Sequence, residues 1–96
     1  MPDNQVTYAH TEVNVDNTDT VALAANANRK YARIQNDDAA LIVWLRVGEA
    51  AVANEGIRLD PAGVFEMTQA KNNVDPRVVN AIASAAGPAV ALVVEA

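Results

Sequence analysis

The stretch Tyr31-Ala32-Arg33-Ile34-Gln35-Asn36-Asp37-Asp38-Ala39-Ala40-Leu41-Ile42-Val43-Trp44-Leu45-Arg46-Val47-Gly48 holds two strand patterns separated by a turn cluster. In its first third, Tyr31, Arg33 and Gln35 point one way and Ala32, Ile34 and Asn36 the other, the period of two of an extended chain. Further on, Leu41, Val43, Leu45 and Val47 share one face, and Ile42, Trp44 and Arg46 the opposite one. That second face is apolar up to Arg46. A strand apolar on both faces lies centrally in its sheet or under a partner. Between the two patterns, the side chains of Asn36-Asp37-Asp38 bond their own backbone and tolerate left-handed geometry, so they read as a turn.

Outward from this stretch the same punctuation recurs. Turn-like clusters stand at Asp16-Asn17-Thr18-Asp19, Asn26-Ala27-Asn28, Gly48, Asn54-Glu55-Gly56, Asp60-Pro61-Ala62-Gly63, Lys71-Asn72-Asn73 and Gly87-Pro88. The segments between them are mostly of strand length, and ten asparagines in 96 residues weaken any helix-rich reading. Ile57-Arg58-Leu59 and Val64-Phe65-Glu66-Met67-Thr68 read as short strands joined by Asp60-Pro61-Ala62-Gly63, whose Pro and Gly fit a type I turn. Asp75 to Gly87 is contested. Asp75 suits a helix N-cap, Pro76 the first helical residue and Gly87 the stop, with alanines between. Against this, Val78, Val79 and Ile82 are β-branched, and Val79, Ala81, Ala83 and Ala85 would form one small-residue face. It is read here as a strand. Ala89 to Glu95 is a further strand. The expected fold is all-β: a small antiparallel β-sandwich or jelly-roll-like barrel of about seven or eight short strands. Residues 1–13, polar and weakly patterned, are expected to form an N-terminal arm, and residues 14–96 a single domain.

Composition excludes several chemistries. Of 49 hydrophobic residues, 20 are Ala and 14 Val, and the aromatics are Tyr8, Tyr31, Trp44 and Phe65. Without Cys there is no disulfide, thiolate metal site or cysteine nucleophile. One His cannot build a multi-histidine zinc site. A net charge of −5 and a pI near 4.5 argue against nucleic acid as a partner, since that affinity comes from Lys and Arg on phosphates. Arg29, Lys30 and Arg33 are the one basic grouping, read as a solvated strand face. A basic membrane anchor is disfavoured on the same grounds, and no stretch reaches the roughly 18 apolar residues of a membrane span. The first ten residues lack the basic and apolar regions of a secretory signal, which leaves a soluble protein made in the cytoplasm as the expectation.

No catalytic constellation stands out. His10 lies in the expected arm, and Ser84, the sole serine, lacks the Gly-x-Ser-x-Gly elbow. Asp37 and Asp38 are adjacent in a turn, which suits turn chemistry better than paired acid–base work. Asp16-x-x-Asp19, with Asn14 and Asn17, offers the hard oxygen ligands Ca²⁺ prefers, but lacks the Gly and terminal Glu of an EF-hand loop and reads as an Asx-turn. The four glycines are isolated, so no phosphate loop exists. Trp44, in the most apolar strand, is expected in the core or at an interface rather than on a sugar platform. No enzyme activity, cofactor or metal is expected.

The segment Asn26-Ala27-Asn28-Arg29-Lys30-Tyr31-Ala32-Arg33-Ile34-Gln35-Asn36 resembles a signature of small β-sandwich proteins in tailed-bacteriophage structural modules. The resemblance continues through the strand Ile42 to Gly48, the segment Gly56-Ile57-Arg58-Leu59-Asp60-Pro61-Ala62-Gly63, the small-residue strand Val79 to Ala83 and the ending Val93-Val94-Glu95. It spans Thr20 to Glu95. It implies a virion component, above all a capsid decoration (cement) protein on the head surface. Its partners would be the major capsid protein and itself, as a homotrimer, with a receptor- or glycan-binding module of a fibre or spike as the alternative. The family docks through an arm or loops, so Pro2 to Val13 is the expected arm. Tyr8, His10, Arg29, Arg33, Trp44, Arg46 and Arg58 are the interface candidates.

Overall fold

The computed structural model describes residues 7–96, folded as eight strands and no helix among those residues. The strands are β1 (Ala9–Val15), β2 (Thr20–Leu23), β3 (Ala32–Asn36), β4 (Val43–Val47), β5 (Ile57–Leu59), β6 (Val64–Met67), β7 (Val79–Ala83) and β8 (Ala89–Glu95). They form two antiparallel sheets of four, ordered β1-β8-β3-β6 and β2-β7-β4-β5. The expected all-β sandwich is the observed one.

The period-two reading explains the layers. In β3, Ala32, Ile34 and Asn36 are buried while Arg33 and Gln35 are half-buried on the other side. Val43 and Leu45 of β4 face them across the core, and β4 lies inside its sheet between β7 and β5. Val79, Ala81 and Ala83 of β7, with Ala89, Ala91 and Val93 of β8, complete a core of small side chains closed by Met67, Leu59, Leu23 and Val15. Trp44 is 6% exposed but belongs to the opposite face of β4, between Ile82 and Arg58 in the ladder. The apolar second face of β4 is therefore real and separate from the central core.

The contested segment resolves as the short strand β7 flanked by loops. The Asp75 carboxylate, which would cap a helix, instead accepts from the Arg77 N–H at 2.9 Å, an Asx-turn. Two expectations need correction. The turn at Asp60–Gly63 closes by the Gly63 N–H on the Asp60 carbonyl at 2.7 Å, yet Ala62 sits at φ +68°. A positive φ at the third position belongs to type II, not type I; Pro61 fits both, so the Pro signal did not decide. The second correction concerns the arm: of its expected span, Ala9–Val13 forms most of β1, in unbroken register with β8 from Ala9 opposite Glu95 to Val15 opposite Ala89. Residues 1–6 lie outside the described residues.

Two buried polar side chains lock the corners. Asn36, fully buried, donates from Nδ2 to the Leu41 and Leu59 carbonyls at 2.8 and 3.0 Å, and accepts from the Asp38 N–H at 3.0 Å. It thereby ties the β3–β4 connection to the end of β5, in the other sheet. At the opposite end, Arg29 reaches inward from the β2–β3 connection.

Candidate docking face

The seven interface candidates fall into three places. Arg29 is withdrawn from the surface: its side chain is 0% exposed. Nε donates to Glu95 at 2.7 Å, Nη1 to the carbonyls of Asp75 and Arg77 at 2.5 and 2.9 Å, and Nη2 to that of Ala24 at 2.6 Å. A guanidinium has a fork of donors, and here it gathers the β2–β3 and β6–β7 connections against the end of β8. The expected solvated role is thus corrected for Arg29. Its donors are spent inside the fold and unavailable to a partner.

Trp44, Arg46 and Arg58 share the outer face of the β2-β7-β4-β5 sheet. There Arg46 pairs with Glu49 at 2.9 Å and Glu55 at 3.7 Å, and Arg58 with Asp60 at 2.8 Å. Both arginines are closed into local pairs, and Trp44 offers little surface.

Tyr8, His10 and Arg33 meet on the outer face of the β1-β8-β3-β6 sheet. The ladder aligns His10, Val94, Arg33 and Glu66 in one row across all four strands, and Glu12, Leu92, Gln35 and Val64 in the next. Between the rows lies an open concavity of about 480 Å³ lined by His10, Thr11, Glu12, Arg33, Leu92, Val93 and Val94. Leu92 and Val94 make an apolar floor over β8; Arg33 stands on one side and the His10–Glu12 strand on the other. Beside it, the Tyr8 and Tyr31 rings meet edge to face, centroids 5.6 Å apart. The Tyr31 hydroxyl donates to Glu66 at 2.7 Å. That bond holds the Tyr31 phenol above its ordinary pKa and Glu66 below the usual carboxylate range.

Arg33 and Lys30 differ from the other cations. Arg29, Arg46, Arg58, Lys71 and Arg77 each meet a carboxylate within 4.0 Å, while Arg33 and Lys30 meet none among the described residues. Among the described residues the Arg33 side chain makes one bond, a long one to Gln35 at 3.3 Å. In a chain of net charge −5, a guanidinium that stands beside an apolar floor, opposite Glu66 without pairing it within 4.0 Å, is the feature most suited to a carboxylate on another molecule.

The remaining chemical candidates are occupied by structural work. Asp16 accepts from the Asn17 N–H and Asp19 from the Ala51 N–H, both at 2.8 Å, so the two carboxylates serve different backbone partners. Asp38 accepts from Ala40 and Leu41 at 2.9 and 2.6 Å, and the Leu41 bond above all lowers its pKa. Ser84 accepts from the Ile42 N–H at 3.0 Å. No group of three metal-ligating side chains occurs among the described residues.

The sequence named Tyr8, His10 and Arg33 singly, and the strand register brings them together. It missed Glu12, Leu92 and Val94. The available signal was the β8 alternation, which buries Ala89, Ala91 and Val93 and so turns Leu92 and Val94 outward. Compared with family models, curated proteins and solved structures, the chain gave no match.

Proposed function

We propose that this chain is a non-enzymatic structural protein of a bacteriophage virion, a capsid decoration protein that lies on the head surface and reinforces capsomer junctions. The observation that carries the reading is the outer face of the β1-β8-β3-β6 sheet, where Arg33 stands beside an apolar floor with no carboxylate within 4.0 Å among the described residues, while most other cations are closed into internal pairs. The sequence resemblance over Thr20 to Glu95 supplies the biological setting. In this reading the face docks on the capsid, Arg33 taking a carboxylate of the capsid protein and Leu92 and Val94 its apolar neighbours. Modest interfaces repeated over many copies then resist capsomer separation. The acidic remainder keeps the free protein soluble before it docks.

The Tyr8–Tyr31 pair favours one second reading, a glycan- or receptor-binding module of a fibre. The other aromatic that reading would use, Trp44, is buried. The two readings separate in a pelleting assay with undecorated, expanded heads. The decoration reading expects co-sedimentation at micromolar protein and a loss of roughly ten-fold or more in Kd with Arg33→Glu, the reversal of a charge facing a carboxylate. Protein that stays in the supernatant while binding glycans or host cells overturns it.

A further inference from the structure

Sheet edges are templates for further pairing, and proteins usually blunt them. Three of the four edges here are blunted by length or irregularity. β5 has three residues, β6 has four, and β2 has four with its register shifted between Val21 and Leu23. The fourth, β1, has seven residues in unbroken register, without Pro or Lys, and Ala9 to Glu12 are all exposed.

Which backbone groups face outward follows from the ladder. Tyr31 and Ala96 exchange both backbone hydrogen bonds at 3.0 Å, so even-numbered residues of β8 direct theirs to β3. The odd-numbered ones, Ala89 to Glu95, therefore bond β1, through Ala9, Thr11, Val13 and Val15. His10, Glu12 and Asn14 are left with N–H and C=O pointing away from the sheet. Their side chains share the outer face.

We infer that two copies of this chain associate edge to edge through β1, antiparallel and centred on Thr11. Centring there sets His10 of each copy opposite Glu12 of the other, twice by the two-fold symmetry, and both residues hold the outward backbone groups needed to exchange a bond pair. On the inner face it sets Thr11 against Thr11 and Ala9 against Val13, favourable or neutral pairs. The neighbouring registers are worse. Centring on Glu12 opposes two carboxylates, and centring on His10 opposes two imidazoles. The product is one continuous eight-stranded sheet, with the two concavities adjoining across the junction. It is a two-fold assembly, in contrast to the three-fold one the resemblance implies, and it stands independently of what the outer face docks on.

Sedimentation velocity from micromolar to millimolar protein tests this. A monomer–dimer equilibrium is expected. Glu12→Pro removes an N–H that no described residue of the monomer accepts, so it should abolish the dimer with little change in thermal melting. His10→Glu opposes carboxylates at both symmetry-related pairs and should weaken the dimer roughly ten-fold. Adding Glu12→Lys to it should restore association, and this pair keeps the test decisive should Glu12→Pro fold poorly. A chain monomeric throughout, a trimer, or a dimer that His10→Glu and Glu12→Pro leave unmoved overturns the inference.

Discussion

Replacing Arg29 by Met keeps much of its length and removes every donor. Four contacts vanish at once: the ion pair with Glu95 and the bonds to the carbonyls of Ala24, Asp75 and Arg77. The three carbonyls lie around a side chain with no exposed surface, so water must enter or they go unpaired. Glu95 keeps a partial remedy, being 24% exposed and bonded by Asn26 at 3.3 Å. Breaking a buried pair from one side costs about 3–5 kcal/mol, and the Glu95 exposure argues for the low end, about 3 kcal/mol. For a domain of this size that is a fall in Tm of roughly 15 °C. Arg29→Lys retains the charge but not the fork and should lose about half as much. Urea unfolding followed by circular dichroism, with Tm from calorimetry, reads both. A loss below about 1 kcal/mol for Arg29→Met would refute the view that this guanidinium joins three segments, since one unsatisfied buried carbonyl alone costs that much.

Other outcomes follow from the same accounting. Asn36→Ala strands the Leu41 and Leu59 carbonyls and the Asp38 N–H, and should cost about 2–4 kcal/mol in urea unfolding. Ala62→Gly relieves a left-handed alanine and should stabilise by about 0.5–1 kcal/mol, whereas Gly56→Ala, at φ +88° with its Cβ driven into the Leu45 carbonyl, should be strongly destabilising. Asp75, held at about 2 chiefly by its hydrogen bond from the Arg77 side chain, against an ordinary 3.8, makes a pH-dependent contribution. Because its folded value is the lower one, that contribution is complete above pH 3.8 and is lost as pH falls toward 2. Asp75→Asn should flatten the stability profile across that window, and high salt should shrink the difference.

Much of the fold was legible because burial on one face writes itself as alternation. Ala32, Ile34 and Asn36 against Arg33 and Gln35 gave β3, and the two apolar faces of β4 gave its interior position. β1 was not legible for the converse reason. Ala9 to Glu12 are exposed on both faces, so no period of two is imposed and the segment reads as an arm. Arg29 was misplaced because its role depends on the β2–β3 and β6–β7 connections converging with the end of β8 from distant parts of the chain, which local patterning does not encode. The docking face was legible only in pieces. Arg33 is conspicuous for meeting no carboxylate within 4.0 Å among the described residues, a property of register and side-chain reach, not of spacing along the chain.

The pairing of β1 with β8 also fixes how this protein can be handled and attached. Ala9 lies opposite Glu95, so the first and last strands enter and leave the sandwich at one rim, where Arg29 binds Glu95 and Tyr31 bonds Ala96. Ala9 and Glu95 both lie at that rim, away from the turns at Asn36 and Pro61. Tension applied between Ala9 and Glu95 would load the β1–β8 ladder rung by rung, as a zipper, instead of shearing all its bonds together.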